Sequence, residues 1–214
     1  AVNAASKGDF LAHALTLSRA TAVLTDGERA TRLAEVAGRV DTLSTTLVLD
    51  DSLSQRLAVA PADTGPSAPV AAGDVGALFF TSGTTGASKA VATTWYYLFS
   101  AAATVASAWE FAAGEVIWTA MPLFHLSAAP TVLAPMLVGG TSVLADGFHP
   151  TTVWDEIRSC GAVGFAGAGA MVSMLWNLPP DPRDAETGLR FISAAPISAE
   201  IYRAVERRYR CRVV

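Results

Sequence analysis

Apolar positions along this chain switch repeatedly between the three-and-four spacing of a helix and the short unbroken runs of a buried strand. Helical spacing covers residues 9–20 and 27–37, and strand-like runs cover 21–24 and 45–49. A strand at 76–80, a second β-like run at 90–94 and a long helix at about 95–112 come next. Strands then read at 116–119, 141–144, 162–165 and 190–193, with helices beyond His125 and at 151–159, 171–176 and 198–209. Ser198 has the place of an N-cap for the last helix, with Glu200 in its first turn. Short strands that are apolar throughout and separated by helices are covered on both faces, as a parallel sheet requires. The pattern therefore predicts an α/β protein: two adjacent lobes of mostly parallel sheet flanked by helices, spanning 1–113 and 114–214. Residues 60–73, rich in Pro, Ala, Gly and Ser, read as a connection rather than a boundary.

Composition narrows the partners. With 214 residues, 51% of them hydrophobic and 16% charged, the chain can bury a sizeable core and has too few charges to be disordered. A net charge of −4 gives no long-range attraction for nucleic acid or an anionic membrane, so a small molecule met in a pocket is the expected partner. Arg203, Arg207, Arg208, Arg210 and Arg212 alternate with Val205, Tyr209 and Val213, which fits a solvated helix face better than a nucleic-acid patch. Two cysteines, Cys160 and Cys211, support neither a disulfide scaffold nor a zinc site and read as ordinary cytosolic thiols. No secretory signal is evident. Residues 116–145 carry no Asp, Glu, Lys or Arg, but Pro122, Pro130, Pro135 and Gly139-Gly140 interrupt them. A proline inside a helix costs about 3 kcal/mol, so this run reads as strand, helix and strand rather than a membrane span. The expectation is a soluble, cytoplasmic protein.

Residues 81–90, TSGTTGASKA, directly follow the apolar run at 76–80 and include one of the chain's two lysines. Glycine lets backbone N–H groups turn toward an anion, Ser and Thr add hydroxyl donors, and Lys adds a point charge. A turn or linker has similar composition; the strand on either side and the placed lysine favour a phosphate-binding loop. The spacing is not that of a Walker loop, since Gly83 and Gly86 are three apart and Lys89 follows Gly86 by three. No Rossmann fingerprint is present either.

This segment resembles the signature of the adenylate-forming superfamily, which includes acyl-CoA synthetases, peptide-synthetase adenylation domains and luciferases. Its usual form is T-S-G-T-T-G-x-x-K-G, and only the last glycine differs, as Ala90. The resemblance implies that Thr81, Ser82, Gly83, Thr84, Thr85, Gly86, Ser88 and Lys89 hold the β- and γ-phosphates of ATP. It further implies that Lys89 acts in catalysis.

Three other segments resemble family motifs. Residues 121–126, MPLFHL, resemble a stretch bordering the acyl pocket, where adenylation domains for amino acids usually carry Phe-Asp and the aspartate pairs with an α-ammonium. Here His125 follows Phe124. An ammonium buried without a carboxylate costs several kcal/mol, so an acid lacking an α-amine fits better, with His125 a catalytic and substrate-binding candidate. On residue type alone, a satisfied core or N-cap histidine is the alternative. Residues 164–171, GFAGAGAM, resemble a stretch lining the acyl cavity, which makes Phe165, Gly167 and Gly169 substrate-binding candidates; close backbone packing is an equal reading of those glycines. Ser193-Ala194-Ala195-Pro196 resembles the turn G-G-[AS]-P beside the adenine, with Ala194, Ala195 and Pro196 as nucleotide-binding candidates. If the two glycine positions need positive φ, Ser193 and Ala194 would each cost about 1 kcal/mol or more. His149, before Pro150, looks structural, and His13 inside the first helix receives no chemistry.

The resemblance covers nearly all of the chain but only the middle of a family member. It implies an acyl-CoA ligase of fatty acid metabolism that joins a carboxylic acid to ATP and passes the acyl group to CoA, with Mg²⁺ ligands largely outside this chain. This piece alone is expected not to turn over; a homodimer is allowed for. The alternatives are an amino-acid or aryl-acid adenylation domain and a non-catalytic nucleotide-binding module.

Overall fold

Helical spacing at the start of the chain produces α1 (Gly8–Leu17) and α2 (Gly27–Ala37). The computed structural model describes residues 1–61, 68–81 and 88–214. Its contacts divide the chain into two units, Ala1–Trp95 and Tyr96–Val214.

In the first unit, α1 and α2 bury Ala12, Leu15, Leu33 and Val36 against one another together with Val40. Asp26 caps α2 by accepting from the Arg29 amide at 2.8 Å, satisfying one of the helix's open N–H groups. Strands β1 (Ala22–Thr25) and β2 (Thr45–Val48) pair in parallel, Ala22 opposite Thr45. The next helix, α3 (Asp51–Ala58), is absent from the sequence-based reading because it buries only Leu53, too little to make a period; Asp50 starts it by accepting from the Leu53 amide at 3.0 Å. Strands β3 (Val75–Thr81) and β4 (Lys89–Thr94) form an antiparallel pair, a departure from the otherwise parallel pairing of the protein. Gly76 interrupts the register, and a Cβ there would meet the Trp95 ring at 2.7 Å, so the glycine is what lets that ring lie against the strand.

Helix α4 (Trp95–Trp109) begins at the last residue of the first unit. The second unit then alternates β5 (Val116–Thr119), α5 (Ala129–Val138), β6 (Thr141–Leu144), α6 (Val153–Cys160), β7 (Gly164–Ala168), α7 (Gly169–Trp176), β8 (Phe191–Ala195), α8 (Ala199–Tyr209) and β9 (Arg212–Val213). All five strands are parallel, in the order β6-β5-β7-β8-β9. Strand neighbours on one face alternate with those on the other. Trp118, Phe165 and Ile192 face α6, α7 and α8 in one core, while Ile117, Ala166 and Phe191 join Ala102, Ala106 and Trp109 of α4 and Ala134 of α5 in the other. The sheet is thus covered on both sides, as its unbroken apolar strands require. Trp118 stacks on Phe165 at 5.5 Å and Trp109 on Phe191 at 5.3 Å, a stacked pair on each face.

Pro135 sits inside α5, where its missing N–H leaves the Thr131 carbonyl without the usual helical donor. The Ser142 hydroxyl, on the neighbouring strand, donates to that oxygen at 2.7 Å and makes the proline tolerable. Behind α8, Arg208 donates to Asp184 at 2.6 Å and to the Trp176 and Pro179 carbonyls at 2.9 and 3.0 Å, a nearly buried cation with each of its three nitrogens bonded. Arg208 is therefore structural, although Arg203 beside it in the basic run is exposed. Burial pushes both the Tyr209 hydroxyl and the Cys211 thiol up to about 12, so Cys211 is an inert core residue. Among the described residues no helix is long and apolar enough to cross a membrane.

Gly164 lies under the Phe191 ring of the next strand, and a Cβ there would come within 2.7 Å of its Cε2. Gly164→Ala should lower unfolding free energy by about 1–3 kcal/mol, the cost of overpacking a filled core. Chemical denaturation measures this; an unchanged midpoint would mean the ring has room to move.

Candidate functional site

Strand order locates a candidate binding edge of the second unit. From β5 the chain steps to β6 on one side, then returns past β5 to β7, β8 and β9 on the other. In open α/β sheets the crevice lies outside the carboxyl ends of the strands at such a reversal. Here the reversal falls between β5 and β7, whose pairing runs Ile117 to Gly164, Trp118 to Phe165 and Thr119 to Ala166.

The three segments singled out in this half of the sequence all leave the sheet at that edge. Residues 121–126 follow the end of β5, Gly169 follows β7, and Pro196 follows β8. The Thr119 hydroxyl accepts from the Met121 amide at 3.0 Å and turns the chain off the strand. His125 then stands exposed at the start of a short 3₁₀ turn (Leu126–Ala128), its ring 4.5 Å from that of Phe124 and making no capping hydrogen bond. It is not a core histidine.

Gly169 and Pro196 meet directly. A Cβ on Gly169 would sit on the Pro196 carbonyl oxygen and 2.5 Å from its carbonyl carbon. The glycine therefore lets the start of α7 close against the turn after β8. Ala194 pairs with Gly167 and Ala195 with Ala168 in the same ladder, so the acyl and adenine candidates are cross-strand neighbours. Ser193 and Ala194 lie in β8 without positive φ, and a side chain at either adds no left-handed strain; Ala195-Pro196 is a cis bond. Gly167 faces filled space: a Cβ there would meet the Phe165 ring at 2.8 Å and the Met171 sulfur at 3.0 Å. Phe165 itself is fully buried between Trp118 and Phe148, and so supports the edge from beneath. His149 is backbone scaffolding, its carbonyl accepting from the Thr152 and Val153 amides where α6 begins.

At the far, amino end of the same sheet, Glu115 and Arg190 form an ion pair, with Arg190 Nη2 2.8 Å from Glu115 Oε2 and 2.9 Å from the Glu110 carbonyl. The hydrogen bond from Arg190 holds the Glu115 carboxyl below the usual range, and the same contact raises Arg190. This pair fastens the ends of β5 and β8 opposite the candidate edge.

In the first unit, the antiparallel ladder ends with Thr81 opposite Lys89, and Ala90 pairs with Phe80 inside it. Ala90 in place of the family glycine is thus an ordinary strand residue. Ser82, Gly83, Thr84, Thr85 and Gly86 lie outside the described residues. Thr81 and Lys89, at the two ends of that segment, are exposed, and the Thr81 hydroxyl is 3.4 Å from the Lys89 carbonyl. Lys89 has no ion-pair partner among the described residues. His13, passed over in the sequence, places Nε2 2.8 Å from the Ser88 carbonyl. A contact across 75 residues leaves no local pattern to read. Among the described residues no three His, Cys, Asp or Glu side chains converge as a metal site would need.

A sequence profile of the AMP-binding enzyme family matches residues 1–214. The chain belongs to that family, as the resemblance at residues 81–90 implied. Among curated relatives it is 26% identical to the medium/long-chain-fatty-acid–CoA ligase FadD6 of Mycobacterium tuberculosis, over 97% of this chain and 35% of that one. It is 33% identical to the crotonobetaine/carnitine–CoA ligase of Salmonella typhi, over 55% of this chain and 23% of that one. Of solved structures, the N-terminal domain of FACL13 from M. tuberculosis superposes with a TM-score of 0.86 at 23% identity, covering 99% of this chain and 54% of that one. ATP-bound MatB from Rhodopseudomonas palustris gives 0.82 at 23% identity, covering all of this chain and 44% of that one. These likenesses fix the fold as that of an adenylate-forming N-terminal domain. The chain spans about a third of the length of the first curated relatives it matches.

Gly169→Ala should push the Pro196 turn away from α7, because the atoms it meets are backbone and cannot rotate aside. Amide chemical shifts of Ala194, Ala195 and Ile197 should move well beyond those caused by Gly167→Ala, which meets the ends of two side chains. Equal perturbation by the two variants would contradict a contact that depends on Gly169.

Proposed function

We propose that the whole protein is an acyl-CoA ligase and that this chain supplies its phosphate-binding segment and its acid-binding edge. The observation that carries the reading is the sequence from Thr81 to Lys89, its ends paired as cross-strand neighbours and its lysine exposed. Relatives named as fatty-acid and carnitine ligases support the CoA branch of the family over amino-acid or aryl-acid activation. The absence of a carboxylate next to Phe124 points the same way, since His125 offers an α-ammonium no counter-charge.

The carboxylate oxygen attacks the α-phosphorus of ATP, the bond from that phosphorus to the α,β-bridging oxygen breaks, and pyrophosphate departs with the bonding electron pair. The acyl-adenylate is then attacked by the thiol of CoA, giving a thioester and AMP. Charge neutralisation and positioning carry most of the first step. Thr81, Ser82, Gly83, Thr84, Thr85, Gly86 and Ser88 would hold the terminal phosphates, and the Lys89 ammonium would neutralise the departing pyrophosphate. ATP enters as its Mg²⁺ complex. Ala194, Ala195 and Pro196 would border the adenine, and His125 the acid. Gly167 and Gly169 would shape the acid's side of the edge through the close packing they permit, over the floor formed by Phe165. A reaction drawing on free ATP and CoA, in a protein with two free thiols, fits the cytoplasm.

Lys89→Ala in the full-length protein should lower adenylation by about 10²-fold or more, comparable to losing a preorganised oxyanion donor. Pyrophosphate exchange dependent on a fatty or short-chain acid reads this, and a wild-type rate would remove the lysine from the mechanism.

A further inference from the structure

From the contact between α1 and the hairpin, we infer that His13 is a positioning residue for the phosphate-binding segment. The His13 ring, half-buried on α1, places Nε2 2.8 Å from the Ser88 carbonyl oxygen. A carbonyl oxygen can only accept, so Nε2 carries the proton and donates. Ser88 is the last residue before β4, which begins at Lys89. The peptide joining them is planar, with the Ser88 C=O and the Lys89 N–H pointing in opposite directions. Holding the oxygen toward α1 therefore sets the orientation of that whole peptide, aims the Lys89 N–H away from the helix, and fixes the Cα from which the lysine side chain departs.

The second hold is on the other side of Lys89. Its own carbonyl faces the Thr81 hydroxyl at 3.4 Å, and its strand position is opposite Thr81. One residue is thus gripped before and after its Cα, from a helix and from the opposing strand. The helix end of this grip is itself fixed: Ala12, Ala14 and Leu15, on either side of His13, are buried, two of them in the core shared with α2. A histidine so placed anchors the foot of the segment without needing to touch the nucleotide. The inference rests on the phosphate role proposed above, and it adds a residue that the motif does not contain.

The test compares His13→Gln, which keeps a side-chain N–H donor, with His13→Leu, which keeps bulk and loses the donor. Binding of ATP, pyrophosphate and AMP to the purified chain is measured by calorimetry for each. His13→Leu should weaken ATP and pyrophosphate by about 3- to 10-fold, the scale of one net hydrogen bond. AMP affinity should be unchanged, and His13→Gln should recover most of the loss. Unchanged ATP and pyrophosphate affinity in His13→Leu, with the wild type binding both, overturns the positioning role alone. Equal loss for all three ligands also overturns it, because that is the signature of general destabilisation. A wild-type chain that binds neither ATP nor pyrophosphate removes the phosphate reading, and the role of His13 with it.

Discussion

Antiparallel pairing of Thr81 with Lys89 is the constraint on which the proposed phosphate chemistry depends. The ladder that leads up to it is apolar on the inside, with Phe79 buried opposite Val91, and it delivers a threonine and a lysine to the same end. Strand pairing therefore sets the distance between the two ends of the proposed phosphate-binding segment before any ligand arrives. The same pairing places Ala90, where the family motif has glycine, inside the strand opposite Phe80.

In the second unit the governing constraint is the reversal across β5. Because the chain moves first to β6 and then back to β7, α5 covers one face of the sheet and α6 to α8 cover the other. Right-handed crossovers permit no other arrangement. The segments after β5, β7 and β8 are therefore brought to one edge by topology alone, and the Gly169 to Pro196 contact brings two of them into touch. Charge is spent at the opposite end, where Glu115 and Arg190 fasten β5 to β8. That division leaves the carboxyl edge free of structural ion pairs among the described residues.

Much of this was legible in the sequence. β5, β6 and α2 fall where their patterns predict them, because each has a full apolar period or run and clear breakers at its ends. Harder to see were α3, with Leu53 as its one buried residue, and β9, whose Arg212-Val213 pair is too short to carry a period. At the candidate site, motif residues were recognisable because their chemistry is local: Lys89 follows its glycines, and His125 follows Phe124. Packing was not. Whether Gly167 and Gly169 opened space or allowed close approach depended on Met171, Phe165 and Pro196, and only the fold shows those glycines to be filled against neighbours. His13 was illegible for the same reason, its partner lying 75 residues away.

The most direct measurement is a pyrophosphate titration of isotopically labelled chain, followed through backbone amide resonances. Binding at the hairpin predicts that the amides of residues 82–89 shift together and saturate, with little change along β6 or α6. Saturable shifts confined to other surfaces, with residues 82–89 unmoved, would contradict the account.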